Sequence, residues 1–247
     1  MSDVVTIDAG GLHFTPLNQE IRAAVAAGAD EIVLENVLGQ RFIADGLQGD
    51  VKITVKGIPG GDLGMFMNGP VLIVQGNCDH APGNTMDRGT IVVHGSTGDA
   101  AGHSMRGGSI FVRDDIGYRG GIHMKEYGEK KPSLVIGGSA GAFLGEYMAG
   151  GTIIVLGLNR DMPLCGRGIG SGIHGGRIFI RGGVNESLLG VGALKRNATE
   201  DDMKDIEPIV KKFGDFFGIM VDDILSSEFT CIMPASARPF AGKYTWE

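Results

Sequence analysis

Residues 71–95 read VLIVQGNCDHAPGNTMDRGTIVVHG, and residues 96–114 continue as STGDAAGHSMRGGSIFVRD. A short aliphatic run with a glycine behind it returns here after 19 residues. Along the chain such runs end at Gly57, Gly76, Gly95, Asp114, Gly138, Gly157 and Gly182, at intervals of 19, 19, 19, 24, 19 and 25 residues. The chain therefore carries a 19-residue repeat with two insertions, which we place at residues 126–131 and 159–168. The run IVLEN, ending at Asn36, is a fainter earlier member.

Two further columns of residues keep the same phase as the aliphatic runs. One column is Met67, Met86, Met105, Met124, Met148 and Ile173, and the other is Gly64, Gly83, Gly102, Gly121, Gly145 and Gly170. Both columns shift by the same insertions as the aliphatic runs. This common shift indicates units that stack on one another, as in a solenoid.

The aliphatic runs are four or five residues long and rich in Ile and Val, which is typical of strands. No helical pattern separates them between residues 51 and 180, which excludes a doubly wound fold there. The sequence therefore predicts an all-β fold, a single-stranded parallel β-helix of about seven or eight turns. Glycines mark corners with positive φ or close approach of turns. The methionines form one ladder inside the tube.

Strand alternation places the first and third residues of each run inside and the middle residue outside. The outward positions are Thr54, Ile73, Val92, Phe111, Val135, Ile154 and Phe179. A solvated face would be polar, whereas the six outward residues from Ile73 to Phe179 are apolar, so this apolar stripe must be covered. A helix at residues 199–217, with Ile206, Val210, Phe213 and Phe217 at helical spacing, is expected to lie along the stripe, roughly parallel to the tube axis.

The open ends of a β-helix also need cover. Thr15 as N-cap and Pro16 as first helical residue predict a helix that carries Leu17, Ile21 and Val25 and ends at Gly28. We divide the chain into an N-terminal strand and capping helix (1–30), the β-helix (31–190) and a C-terminal helix and tail (191–247).

Composition narrows the function classes. The chain has 22 Lys and Arg against 29 Asp and Glu, a formal charge of −7, which argues against a nucleic-acid partner. The start, MSDVVTIDAGG, has no basic region followed by an apolar stretch, so we expect a cytoplasmic protein. Three cysteines, Cys78, Cys165 and Cys231, are too scattered for a disulfide framework or a metal signature.

Two fragments imitate catalytic motifs. Gly137-Gly138-Ser139-Ala140-Gly141 fits the nucleophile elbow, which needs a following helix and Asp and His partners. Residues 170–175, GSGIHG, fit the dinucleotide fingerprint, which needs a βαβ unit. Their glycines coincide with repeat columns, so the structural interpretation is favoured over Ser139 as a hydrolase nucleophile.

Two clusters remain as candidates. Cys78, Asp79 and His80 are adjacent, and His94 and His103 lie one turn on, so a metal or nucleophilic site there is a hypothesis. A basic cluster, which could meet an acidic substrate or partner, comprises Arg106, Arg113, Arg119, His123 and Lys125. No constellation supplies a nucleophile, a base and oxyanion donors together, so no catalytic, cofactor-binding or metal residue is assigned.

Three stretches carry a family resemblance: GDAAGHSMRGGSIFVRDDIGYRGGIHMKEY (98–127), LGEYMAGGTIIVLGLNRD (144–161) and PASARPFAGKYTWE (234–247). With the glycine repeat, they resemble the GXGXG domain of glutamate synthase, most closely its free-standing archaeal-type versions. Related domains occur as one of the chains of formylmethanofuran dehydrogenase and as one of the chains of N-methylglutamate synthase.

The resemblance implies a right-handed β-helix without catalytic residues. It implies a structural subunit that braces a glutaminase subunit against an FMN and iron–sulfur synthase subunit, while ammonia passes to 2-oxoglutarate. FMN and the iron–sulfur clusters are then expected in the partner subunits and no cofactor in this chain. A glutaminase of this class uses an N-terminal cysteine, whereas this sequence starts Met1-Ser2. A scaffold of formylmethanofuran dehydrogenase and a serine hydrolase using Ser139 remain as alternatives.

Overall fold

Eleven strands form one sheet in the residues that the computed structural model describes, 4–158 and 165–237. Strands β1 to β9 follow one another in chain order and pair in parallel. They are β1 Val4–Asp8, β2 Glu31–Leu38, β3 Lys52–Ile58, β4 Asn68–Val74, β5 Arg88–Val93, β6 Ser109–Val112, β7 Ser133–Ile136, β8 Ala149–Val155 and β9 Gly175–Arg181. This all-β, parallel β-helix is the fold that the repeat predicts.

The strand register follows the spacing of the repeat. Each inward residue pairs with its equivalent one turn on, through Ile32, Ile53, Leu72, Ile91, Ile110, Leu134, Ile153 and Ile178. Strands β3 to β9 carry the regular repeat and make six consecutive parallel pairings. The regular repeat thus makes about six turns, fewer than the seven or eight predicted, because seven stacked strands enclose six intervals. The strands β1 and β2 add two parallel pairings at wider spacing.

Each turn also carries a loop of a distinctive backbone conformation on the side away from the strand. Three alternate residues of the loop have positive φ, for example Ala81 (55°), Gly83 (69°) and Thr85 (53°). The backbone N–H groups of Ala81 and Thr85 donate to the next turn, and that of Gly83 donates to the previous turn. We call the surface formed by these loops the αL face. Its hydrogen bonds between turns satisfy the backbone donors and hold the loops in register.

From the second loop onward the middle positive-φ position is glycine, because a Cβ there would point into the core. A Cβ at Gly83 would lie 2.6 Å from Cδ1 of Ile110, and one at Gly145 would lie 2.5 Å from Cδ1 of Ile178. The first and third positions tolerate side chains because theirs point outward. The glycine column therefore has the predicted positive φ throughout, and at Gly83, Gly121 and Gly145 close packing against the core acts as well.

The methionine column forms part of the interior of the tube. Met67, Met86, Met105, Met124, Met148 and the equivalent Ile173 are all fully buried. The backbone carbonyls of the five methionines each accept a hydrogen bond from the residue that follows the column position one turn on. The predicted single ladder is confirmed.

Helix α1 (Phe14–Ala26) covers the N-terminal end and buries Leu17 and Ile21 in the tube core. The prediction that Thr15 is the N-cap is wrong. The N-cap is His13, whose Nδ1 accepts the N–H of Thr15 at 3.4 Å. Since an imidazole nitrogen can accept a hydrogen bond as a carboxylate or hydroxyl does, the helix begins two residues earlier than the Thr-Pro signal indicates.

Two strands that the sequence analysis missed close the C-terminal end. Strand β11 (Phe229–Pro234) pairs antiparallel with β9, and β10 (Ala193–Asn197) pairs antiparallel with β11. A 3₁₀ turn at Glu186–Leu188 precedes them, and the short helix α3 (Asp222–Leu225) leads into β11. Strand β11 pairs with the free edge of β9, the last parallel strand, so the stack ends without a further turn of the β-helix.

Helix α2 (Glu200–Phe217) has Thr199 as its N-cap, at the start of the predicted range, with a capping box between Thr199 and Asp202. Near its start, Asp202 and Asp205 bind Arg177 of β9, each at 2.7 Å. Near its end, Phe217 packs against His94, the residue after β5. The helix therefore runs back along the stack of strands from β9 toward β5.

The outward stripe lies beneath this helix, where a second hydrophobic core forms outside the tube. Phe111 is 1% exposed and Phe179 is 0% exposed. Val92, Val135 and Ile154 belong to the same buried cluster as Ile206, Val210 and Phe213 of α2. The helix covers the stripe, as the sequence predicts, and this face is not an open subunit interface.

Candidate functional site

Ser139 lies in a polar ladder that joins successive turns. Its N–H and its hydroxyl both donate to Oδ1 of Asp115, at 2.7 and 2.9 Å. One turn back, the N–H of Asp115 donates to Oγ of Ser96 at 3.3 Å, and the N–H of Ser96 donates to Oδ1 of Asn77 at 2.9 Å. The side chains of Asn77, Ser96 and Asp115 each accept the backbone N–H of the equivalent residue one turn on. The structure therefore accounts for Ser139 without a catalytic role.

The surroundings of Ser139 also lack the context of a nucleophile elbow. The chain passes from β7 through a loop into β8, with no helix between them. Among the described residues, no histidine ring is a hydrogen-bond partner of Ser139. A serine nucleophile needs a base to take its proton and a helix or loop that supplies oxyanion donors.

The second imitation motif is the loop before β9. Gly168, Gly170 and Gly172 take the three positive-φ positions of the last αL loop, with φ of 79°, 66° and 70°. Strand β9 begins at Gly175, so no helix follows for a dinucleotide phosphate to meet. The insertion at 159–168 includes residues 159–164, which lie outside the described residues.

The structure separates the thiol of Cys78 from the carboxylate of Asp79 and the imidazole of His80, which lie together with Oδ1 3.4 Å from Nε2. Cys78 faces the core, and burial raises the pKa of its thiol to about 12. Asp79 and His80 are exposed on the αL face. There Nδ1 of His80 accepts the N–H of Asp99 at 2.8 Å, which is again a contact between turns.

The two histidines one turn on do not join His80. His94 packs edge-on against Phe217 under α2, and its pKa is lowered by burial and by Arg113. His103 lies 3.1 Å from Oδ1 of Asn84, and its pKa is lowered by burial and by His123. The hypothesis of a joint metal or nucleophilic site has no geometric support.

The three cysteines do not fit a shared metal cluster. Cys78 and Cys165 occupy one inward column, separated by Thr97, Ile116 and Ala140. Four steps of roughly 4.8 Å place them about 19 Å apart, far beyond the reach of one cluster. Cys231 lies in β11 and is buried under α2. Within the described ranges, no group of three or more His, Cys, Asp or Glu residues could hold a metal ion.

The basic cluster is divided between faces. Arg113 pairs with Asp114 near α2, and Arg119 pairs with Glu146 at 2.7 Å on the αL face. Arg106, His123 and Lys125 remain exposed on successive turns, beside the insertion at 126–131.

The αL face carries stacked aromatic side chains, a feature that sequence reasoning missed. The ring of Phe143 lies edge-on to that of Tyr118 at 5.5 Å, and Arg119 lies over both rings. His123 stacks on Tyr147 with ring centroids 5.3 Å apart and planes 13° apart. The signal was available, because Phe143 and Tyr147 occupy positions two before and two after a repeat glycine, where the side chain must point outward.

This arrangement is suited to binding rather than to bond-breaking chemistry. Ser139 and His80 bond to neighbouring turns, and Cys78 is buried in the core. Exposed aromatic and cationic groups, in contrast, lie on the αL face. No helix in the described part of the chain has the length and apolar character needed to cross a bilayer.

The comparisons with known proteins agree with the repeat. A family model described as the GXGXG motif matches residues 20–235. A protein of Methanocaldococcus jannaschii, described as uncharacterized, is 56% identical over 251 aligned residues, which cover 98% of this chain and 96% of that protein. The matched range includes β2 to β11, so the similarity extends over the tube, α2 and the closing strands.

Proposed function

The chain belongs to the GXGXG motif family, and from that membership we propose that it is a non-catalytic structural subunit of a multi-chain glutamate synthase-type oxidoreductase. In this role it braces a glutaminase subunit against an FMN and iron–sulfur synthase subunit. Ammonia released from glutamine then passes to 2-oxoglutarate in glutamate biosynthesis. In this proposal the complex is cytoplasmic, and the partner subunits hold its FMN and its iron–sulfur clusters.

The observation that carries the proposal is the polar ladder of Asn77, Ser96, Asp115 and Ser139. Ser139, the serine of the nucleophile-like motif, donates hydrogen bonds from both its N–H and its hydroxyl to Asp115. The side chains of this ladder thus join turn to turn, as expected of a rigid brace. A bracing subunit needs stiffness along its axis, and hydrogen bonds repeated at every turn supply it.

The closed core supports the same role. The tube interior is filled by fully buried aliphatic and methionine side chains, and the outward stripe is covered by α2. Function is then expected on the outer surface, in contacts with other chains.

The family includes a second kind of complex, since related domains occur in formylmethanofuran dehydrogenase. The genes next to this one separate the two scaffolding roles. A class II glutaminase and an FMN synthase chain favour the glutamate synthase role.

The test is reconstitution of the complex. The tagged chain is co-expressed with the neighbouring glutaminase and synthase chains, and glutamine-dependent formation of glutamate from 2-oxoglutarate is measured with a reductant. We expect the three chains to co-purify and the glutamine-dependent rate to fall at least tenfold when this chain is omitted, while ammonia-dependent synthesis persists. Co-purification with formylmethanofuran dehydrogenase chains instead would establish the alternative scaffold.

Ser139→Ala provides the control for the hydrolase alternative. We expect this variant to support the full rate in the complex, since its backbone N–H still reaches Asp115. Esterase activity of the isolated chain that disappears in Ser139→Ala would overturn the structural role.

A further inference from the structure

Unpartnered cations gather at one place on the surface. Most Lys and Arg side chains of the described ranges make an ion pair, a hydrogen bond or a cation–π contact. Among residues 4–158 and 165–237, the ones for which the structure shows none are Arg106, Lys125, Lys131 and Arg167. The first three lie at or beside the insertion at 126–131. In a chain of net charge −7, three cations without a counter-ion at one place need an explanation, even with the exposed acids Glu126 and Glu129 in the same insertion.

Two of these cations are neighbours along the tube. The N–H of Lys125 donates to the carbonyl of Met105, the residue before Arg106, so the two cations occupy equivalent positions on adjacent turns. Adjacent turns lie roughly 4.8 Å apart. Like charges on side chains that leave the tube from such closely spaced positions repel each other, and an opposing anion would relieve the repulsion. In the described structure the insertion's own acids, Glu126 and Glu129, form no ion pair with them.

The insertion itself projects an aromatic side chain. Tyr127 is 72% exposed and its backbone pairs with Lys130, which closes the hairpin. Lys130 in turn binds Asp87, and this ion pair holds the hairpin against the tube. The exposed ring is therefore presented on a tethered hairpin.

Next to the cations, His123 and Tyr147 form a stacked pair on the αL face. Tyr147 is 39% exposed, and the N–H groups of both residues donate to the next turn, to Glu146 at 2.9 Å and to Ser171 at 2.8 Å. Since the backbone of both residues is held in place, little further conformational entropy would be lost when a partner binds them. Tyrosine and arginine, with tryptophan, are enriched among the residues that contribute most to binding energy in protein interfaces.

We infer that these residues form a docking surface for an acidic face of a partner subunit. That acidic face also offers an apolar pocket for Tyr127. We call the docking surface the basic–aromatic patch, and it consists of Arg106, His123, Lys125, Tyr127, Lys131 and Tyr147. The inference rests on the proposed function, in which the partner is the glutaminase or the synthase chain. Charge complementarity selects the partner face, because acidic groups would neutralise the stacked cations.

The test measures association of the purified chain with the purified glutaminase and synthase chains by surface plasmon resonance at several salt concentrations. The variant Arg106→Glu/Lys125→Glu is expected to lower the association rate constant for one of the two chains at least tenfold at low salt. It should also flatten the salt dependence. Tyr127→Ala is expected to raise the dissociation rate at least fivefold.

The matched control is Arg167→Glu, which reverses an equally unpaired and exposed cation outside the patch. It is compared with the single variant Lys125→Glu. A loss confined to the patch variants supports the inference. If the wild-type chain binds a partner and the patch variants bind equally well, the inference is overturned while the proposed function stands. Failure of the wild-type chain to bind either partner overturns both.

Discussion

The ring of Tyr147 lies against Gly172 of the next turn, so that a Cβ at Gly172 would come within 2.5 Å of Cδ1 of that ring. Gly172 also has a φ of +70°, so two independent restrictions act on one residue. The same relationship holds between Phe143 and Gly168, where the ring lies 2.8 Å from the position of a Cβ. The large aromatic side chains of one turn are thus accommodated by glycines in the next.

We expect Gly172→Ala to destabilise the fold by about 2–4 kcal/mol, from left-handed backbone strain and displacement of the Tyr147 ring. Urea unfolding followed by circular dichroism measures the loss. Gly218→Ala is the matched control, because Gly218 has a φ of 66° and nothing within 4 Å of its Cβ position. It should cost only about 1–2 kcal/mol. Equal losses in the two variants would show that the ring moves aside freely.

The side chain of Asn18 in α1 supplies the hydrogen-bond acceptor that a preceding turn would supply, because the first αL loop has no turn before it. Its Oδ1 accepts the N–H of Ala44 at 3.0 Å, and Ala44 lies at the middle αL position of the first loop. In later loops the equivalent N–H donates to the previous turn, as that of Gly64 donates to Ile43 at 2.8 Å.

We therefore expect Asn18→Ala to leave a buried N–H without an acceptor and to cost about 1–3 kcal/mol in urea unfolding. Asn84→Ala is the comparison, since the side chain of Asn84 bonds to other side chains only, Asp62, Thr85 and His103. Its removal should cost less than Asn18→Ala. The capping role is wrong if Asn18→Ala is the milder of the two.

Met105 lies in the middle of the interior ladder and is fully buried. Met105→Asp places a carboxyl group there without a partner, and we expect a loss of several kcal/mol or failure to fold. Met105→Leu, which nearly conserves volume, should cost less than about 1.5 kcal/mol. Thermal unfolding of both variants distinguishes loss of volume from burial of a polar group. A stable Met105→Asp protein would contradict the inward orientation.

Asp202 attaches α2 to the sheet. Its side chain is 3% exposed and binds Arg196 and Arg177 as well as the N–H of Thr199. The Arg196 guanidinium, with Thr199 and Arg177, holds the pKa of the Asp202 carboxyl well below its usual range, against the opposing effect of burial. A carboxyl whose folded pKa is depressed stabilises the protein fully above its unfolded pKa, near 4, and loses this contribution as pH falls toward the folded value.

Asp202→Asn is accordingly expected to cost roughly 2–3 kcal/mol near pH 7, less than a fully buried pair because both guanidinium groups are more than a third exposed. It should also reduce the fall of stability below pH 4. Asp205→Asn is the control, as Asp205 binds the same Arg177 but is 60% exposed, and it should cost under about 1 kcal/mol. Unfolding free energies between pH 3 and 7 measure both effects, and identical pH profiles for wild type and Asp202→Asn would exclude the contribution.

Periodicity alone was sufficient for the part of the molecule in which every turn has an equivalent neighbour. The pairing of Ile53 with Leu72 and of Leu72 with Ile91 follows from the 19-residue spacing, because stacked turns of equal length pair equivalent residues. The same argument places Met105 inside and Phe111 outside. It also requires a cover for Phe111 and the rest of the outward stripe. Helix α2 has the apolar face and the length to provide this cover.

The tertiary structure decided what periodicity leaves open, namely the ends and the outer contacts. His13 caps α1, Asn18 replaces a missing turn, and β11 closes the sheet, and none of these contacts has an equivalent in the repeat from which it could be read. Likewise, the repeat places Ser139 and Tyr147 on the outside, but it does not identify the residues that they contact. Those partners, Asp115 and His123, come from the previous turn, and their contacts depend on side-chain conformations that only the folded surface selects.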